Sequence, residues 1–435
     1  MSVDVTKIPF TIDEVTQLSQ LNQEPKWLLQ NRLEALKGAT NLPLPKLEKT
    51  NIERWNFTNF KALNQETSIQ SLEGLPNTIR EFIFDEATAQ VLVQKNSNVI
   101  FQHISEELSK QGVIFTDLAT AARDHEDLVK KYLNQGFKKD EHQLAALHAA
   151  LQSGGAFLYI PRNIELKVPI QGLFWLAGEQ AAILPHILIV AEDHSRLDFV
   201  ANFVGEPHDT STLNNSVVEV FVGANAQVRV ATVNHLPKSV VDVTYRRSYV
   251  ERDGHLEWII ADLSEGRIIS DNTTHLDGSG STVHVKTVVM GADEMRSNVT
   301  SSIQHWGTHT ASDINARSVM KDAASCILNS ITKIERGATK SDGQQSGKVL
   351  MLNKQARGDA NPILLIDEND VTAGHAASVG RIDPLQMYYL MSRGISQAEA
   401  EKLIIYGFLD AVISEIPSES LQKRIHQVIE RKFQS

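Results

Sequence analysis

The chain has 435 residues, 42% of them apolar and 22% charged, ordinary proportions for a folded protein and length enough for two or three structural units. Lys and Arg number 42 against 53 Asp and Glu, and the formal charge of −11 has the wrong sign for general adhesion to nucleic acid or anionic lipid. The single cysteine, Cys326, excludes an intrachain disulfide and any four-thiolate zinc or iron–sulfur site built by this chain alone.

Thr11-Ile12-Asp13-Glu14 fits a capping box and predicts a helix with Val15 and Leu18 on its inner face. The opening MSVDVTKIPF lacks a basic start and an apolar core, so no export signal is expected and a cytosolic address is the default. Leu28, Leu29, Leu33 and Leu36 mark a second amphipathic helix, and Asn41-Leu42-Pro43-Leu44-Pro45 forces an extended connector. Residues 117–152 return to helix through Leu144, Ala145, Ala146, Leu147 and Leu151. The longest apolar run, 181–191, contains Pro185 and His186 and falls short of the roughly 20 residues of a bilayer span.

Near Gly154-Gly155 the period changes from helical to alternating, and for more than 200 residues the chain is a series of short β-type runs bounded by Gly, Asn or Asp. Examples are Val217-Val218-Glu219-Val220-Phe221-Val222, Leu256-Glu257-Trp258-Ile259-Ile260 and Ile363-Leu364-Leu365-Ile366. Strands without intervening helices exclude a doubly wound α/β sheet. The corner Gly223-Ala224-Asn225-Ala226, followed by alternation, favours a parallel β-helix over a sandwich, although no strict hexapeptide period is visible. A mainly β architecture results: a mostly helical unit at 1–152, a β-helix core at 153–382 and a helical unit at 383–435. The flanking helices are expected to cap the ends of the coil. Asp383-Pro384 opens the last unit and Gly394 stops its first helix. Ser396-Gln397-Ala398-Glu399 is a capping box for a helix that ends before Pro417, and a final helix carries Leu421, Ile425, Val428 and Ile429.

Gly343 to Val349 superficially suggests a phosphate loop, but its glycines are one residue too close and Val349 stands where Ser or Thr is required. Asp367-Glu368-Asn369-Asp370 lacks the spacing of a calcium loop and reads as a solvated turn. No hydrolase motif occurs, and Cys326, in Ala-Ala-Ser-Cys-Ile-Leu, reads as a buried thiol in the coil wall. His375 stands apart, because its small neighbours Gly374, Ala376 and Ala377 leave the ring uncrowded. On residue type alone it is either a structural imidazole or a metal or interface residue.

Asn361-Pro362-Ile363-Leu364-Leu365-Ile366, then Gly374-His375-Ala376-Ala377-Ser378-Val379-Gly380-Arg381-Ile382-Asp383, then Tyr389 to Ser396 and Ala400 to Phe408, resembles the SufB/SufD family of iron–sulfur cluster assembly proteins. Trp55-Asn56-Phe57-Thr58 and Gly155 to Pro161 extend the likeness over nearly the whole chain. The single cysteine sets it apart from the sulfur-receiving SufB-like members. The resemblance implies a right-handed parallel β-helix between two helical units, in a SufBCD complex with a SufB-like subunit and the ATPase SufC. It further implies a scaffold that is not itself an enzyme and binds no cofactor stably alone.

In the family the histidine that His375 matches faces SufB where a nascent, transient iron–sulfur cluster is thought to form. The resemblance thus makes His375 a candidate metal ligand shared with SufB thiolates. It makes the helices after Asp383, with Tyr389, Leu403, Ile404 and Phe408, a candidate SufC-docking surface. Whether the isolated chain is a homodimer stays open. The rival class is a β-helix enzyme acting on carbohydrate or acyl substrates.

Overall fold

A computed structural model describes residues 8–61, 66–83, 86, 88–414 and 419–434; most of the opening read for an export signal, and Pro417, lie outside these. The chain winds into a parallel β-solenoid of two ten-stranded sheets, successive strands alternating between them. Arg196, Gln227 and His255 stack as in-register neighbours, so one coil takes roughly 30 residues. Along each strand, inward and outward positions alternate, and the inward set forms one continuous core with Phe199, Val230, Trp258 and Ile314.

The coil closes on itself at corners that need left-handed backbone. Asn163, His194, Asn225, Asp253, His309 and Lys340 all have φ between 56° and 63°. The N–H of each reaches a carbonyl one coil further on, as His194 to Ala224, Asn225 to Arg252, Asp253 to Ser279 and His309 to Thr339 at 2.8–2.9 Å. Asn and Asp tolerate this conformation best among residues with a side chain. Such backbone bonds between corners continue the sheet pairing around the bend, leaving few buried amides unpaired.

The helical elements take different positions from those the sequence suggests. Helices Ile12–Leu21, Lys26–Ala39 and Gln143–Leu151 pack on the outer face of the second sheet, against Leu213, Val217, Val241, Val243 and Ile269. Helices Gln397–Ile413 and Glu419–Gln434 cover the outer face of the first sheet, where Ile405, Leu409, Ile425 and Val428 meet Ala231, Ile259 and Val288. The start of the coil is closed instead by the antiparallel strand Asn98–His103 and by Leu108 of the short helix Glu106–Lys110, which packs on the lumenal core. At the far end, among the described residues, no further coil follows either terminal strand. End-capping by the long helices is therefore corrected: they pack on sheet faces, because their apolar stripes match the broad outward faces of the central strands, and only the short helix Glu106–Lys110 helps close an end.

Both predicted capping boxes form, Glu14 N–H to Thr11 Oγ1 at 3.2 Å and Glu399 N–H to Ser396 Oγ at 3.3 Å. Asp383 accepts from the Leu385 N–H at 2.9 Å, Pro384 occupies the first turn, and Gly394 ends that helix with φ 86°.

Candidate functional site

The last strands of the two sheets, Arg357–Ile366 and Thr372–Arg381, each pair on one side only. Pro362 lies within the first of these, which is tolerated because an edge strand need not donate on both sides. Ile363, Leu365, Ile366 and Val379 are exposed on these edges. Free sheet edges with apolar side chains are sites at which another strand adds.

His375 has a defined place on this end. Val230 pairs with Phe199 and Trp258, Trp258 with Val285, Val285 with Ile314, Ile314 with Gln345, and Gln345 with His375. The column is lumenal and apolar as far as Ile314, then turns polar. Gln345 is buried, and its Nε2 donates to Thr332 Oγ1 at 2.6 Å and to the Ile363 carbonyl at 3.1 Å. His375 is exposed because no further coil lies over it. Register thus sets an imidazole on the lumenal row at the mouth of the coil. Among the described residues no group of three or more His, Cys, Asp or Glu side chains is placed to hold a metal, so the mouth contributes one imidazole rather than a complete ligand set.

The acidic turn beside the mouth has a structural task. Glu368 accepts from the Gly337 N–H at 2.9 Å and the Asn369 N–H at 2.8 Å, and these bonds hold its carboxyl below the usual range. Lys340 Nζ bonds Asp370 at 2.9 Å. Cys326 lies deep in the lumenal wall between Ser297 and Gly358, and burial pushes its thiol up to about 11, which leaves it a poor nucleophile and ligand.

Beyond the edge, helix Pro384–Ser392 buries none of its residues. Leu385 is 75% exposed, Tyr388 72% and Tyr389 57%; on the next helix Leu403 is 51% exposed. Ile404 and Phe408 differ from these, since both are half-buried. Phe408 packs on the cluster between helix and sheet, with the Arg317 guanidinium 5.2 Å from its ring centre. Of the four residues proposed for docking, two are therefore open to a partner and two are partly committed inward.

Residues 174–408 match the family described as SUF system FeS cluster assembly, SufBD core domain, and residues 18–172 match the SufBD protein N-terminal region. An iron-sulfur cluster assembly protein SufD from Bacillus subtilis is 47% identical over 98% of this chain and 99% of its own length. The chain belongs to the SufBD family of iron–sulfur cluster assembly proteins. A SufBD family protein from Staphylococcus epidermidis is 27% identical over 93% of this chain and 89% of its own, and one from Staphylococcus haemolyticus 27% over 93% and 89%.

Within this SufBD chain the residues of the resemblance serve different ends. Trp55 and Phe57 are buried under the second sheet, and the Arg267 guanidinium lies 5.9 Å from the Trp55 ring centre, so that signature packs the amino-terminal unit on the coil. The signature around His375 forms the free edge itself. The sequence reading takes the helices after Asp383 as a docking surface but singles out only Tyr389 on the first of them, and its neighbours Leu385, Tyr388 and Met391 are exposed as well.

Proposed function

We propose that this chain is the SufD-type scaffold of a cytoplasmic SufBCD complex, non-catalytic in itself. It pairs through the open end of its solenoid with a SufB-like subunit and holds the ATPase SufC on its carboxy-terminal helices. The observation that carries this reading is the uncapped coil end, with both sheet edges unpaired and His375 on its lumenal row, in a member of this family. His375 then supplies one ligand to a transient iron–sulfur cluster whose thiolates come from SufB; cluster iron and sulfide are cargo rather than a resident group. Family membership favours this over an enzyme acting on carbohydrate or acyl substrates. Nucleic acid is disfavoured by the charge of −11, and no described helix is long and apolar enough to cross a membrane. The same edge makes a homodimer of the isolated chain the natural product when SufB is lacking.

The test is coproduction with SufB and SufC. His375→Ala should leave complex stoichiometry unchanged and lower iron and sulfide after anaerobic reconstitution by about tenfold, in line with loss of a metal ligand. Unchanged iron content overturns the ligand role. For SufC docking, Leu403→Asp lies at an exposed site and should weaken SufC retention in a pull-down while shifting melting by under about 1 °C. Phe408→Asp buries a carboxylate in the helix–sheet cluster and should cost about 2–4 kcal/mol of stability. Retention unaffected by Leu403→Asp places the docking surface elsewhere.

A further inference from the structure

Three buried side chains from distant parts of the chain form one hydrogen-bonded line beneath the amino-terminal helices. His148 comes from helix Gln143–Leu151, His186 from strand His186–Ala191 and Glu219 from strand Thr212–Val222; all three are fully buried. His148 Nδ1 lies 2.8 Å from the Asn215 carbonyl and its Nε2 3.2 Å from His186 Nδ1; His186 Nε2 lies 2.7 Å from Glu219 Oε2. Glu219 also accepts three backbone N–H groups, Asn134 at 2.7 Å, Gly136 at 2.6 Å and Phe137 at 3.0 Å.

Protons can be counted along this line. A carbonyl only accepts, so His148 Nδ1 carries hydrogen. Neutral His148 then presents a lone pair at Nε2, and the proton in the next contact belongs to His186 Nδ1. Glu219 already accepts three backbone N–H groups, and its remaining contact is with the ring nitrogen His186 Nε2. A ring that donates in both contacts must carry hydrogen on both nitrogens, Nδ1 toward His148 and Nε2 toward Glu219. Placing the extra charge on His148 would give the same count, but burial drives that imidazole well below its ordinary range, the neighbouring His186 and the Arg32 guanidinium adding to the effect.

We propose that His148, His186 and Glu219 are a proton-loaded latch, an imidazolium–carboxylate pair that fastens helix Gln143–Leu151 and the turn 134–137 to the second sheet. Arg32 is neutralised by Glu24 and donates to the Ala150 carbonyl at 3.1 Å, pinning the end of the same helix. From the adjacent strand Val240–Val250, Arg247 and Tyr249 face the turn and Glu219, and Arg247 is paired with Asp271 and Glu141. The turn adds no titratable side chain. It fits closely, since a Cβ on Gly136 would lie 2.9 Å from Arg247 Cβ and 3.0 Å from Tyr249 Cε2.

The test uses the full chain with ¹⁵N-labelled histidine. At about pH 8, where an ordinary imidazole is neutral, the wild type should show one doubly protonated ring with slowly exchanging N–H protons. In Glu219→Gln that ring should become neutral, and backbone hydrogen exchange across residues 134–137 should accelerate at least about tenfold, while strand Arg296–His305 stays unchanged. A wild-type spectrum holding only neutral rings overturns the proposal. So does unchanged exchange at 134–137 in the variant. Should Glu219→Gln fail to accumulate, the wild-type spectrum decides the protonation by itself.

Discussion

Acidifying the isolated protein from about pH 7.5 to about pH 5 should lower its melting temperature by on the order of 5 °C. Burial holds His142, His235, His275 and His305 at about 4, below the ordinary 6.5, and holds His148 well below its ordinary value too. A histidine kept neutral in the native state binds its proton only on unfolding, so stability is complete above the unfolded value and drains away as pH falls below it. For a gap of this size the loss at about pH 5 is about 2 kcal/mol for a fully buried ring, less for the half-buried His142, His235 and His275. Buried carboxyls oppose it, since burial raises Asp242, Asp262 and Asp277, and the imidazolium proposed at His186 acts in the same sense. Burial raises Asp262 to about 6, which makes the native state the stronger proton binder there and returns about 1.4 kcal/mol over the same interval. The buried imidazoles, at up to about 2 kcal/mol each, together outweigh these groups. Calorimetric scans at matched ionic strength decide the matter; a melting temperature that holds or rises on acidification contradicts the burial of these rings.

Gly278→Ala should destabilise the chain by at least about 3 kcal/mol or prevent its accumulation. Gly278 sits at a corner where consecutive coils touch backbone to backbone, and a Cβ there would lie 1.9 Å from the Arg252 nitrogen and 2.2 Å from the Glu251 carbonyl carbon. Neither atom can swing aside as a side chain would, so relief requires separating two coils. Gly380→Ala is the matched control. Its position on the free edge has nothing within 4 Å of an added Cβ, and its melting curve should overlay the parent. A Gly278→Ala protein that melts with Gly380→Ala contradicts the stacking.

The signals that proved legible are those written over a few consecutive residues. Thr11 with Glu14, Ser396 with Glu399, and Asp383 with Pro384 each describe a cap complete within one helical turn. Gly223-Ala224-Asn225-Ala226 marks a corner because Asn225 must adopt φ 59°. The coil repeat is less readable. Along one inward row the residues run Val218, Arg246, Asn272, Ser301, Ser330 and Pro362, so stacked positions share geometry without sharing chemistry. His375 was found by its signature, whereas its place at the end of a lumenal row follows from pairing over a separation of 30 residues. Glu219 was visible as a lone acid inside a valine-rich run, but its partners lie 33 and 82–85 residues away.

The unequal ends of the solenoid limit what it can build. The antiparallel strand Asn98–His103 and Leu108 block one terminus, and the other offers its two strand borders. At the first terminus the strand border is already used, the Ile69 N–H bonding the Ile100 carbonyl at 2.9 Å and Gln102 Nε2 the Phe115 carbonyl at 3.2 Å, so on the proposed pairing growth through the other pole stops at a couple. Twin hydrogen-bonding rims, characteristic of runaway polymers, are thereby made safe by asymmetry. If the proposed pairing holds, whichever partner arrives first occupies the pole, and competition between like and unlike mates becomes a question of their relative supply.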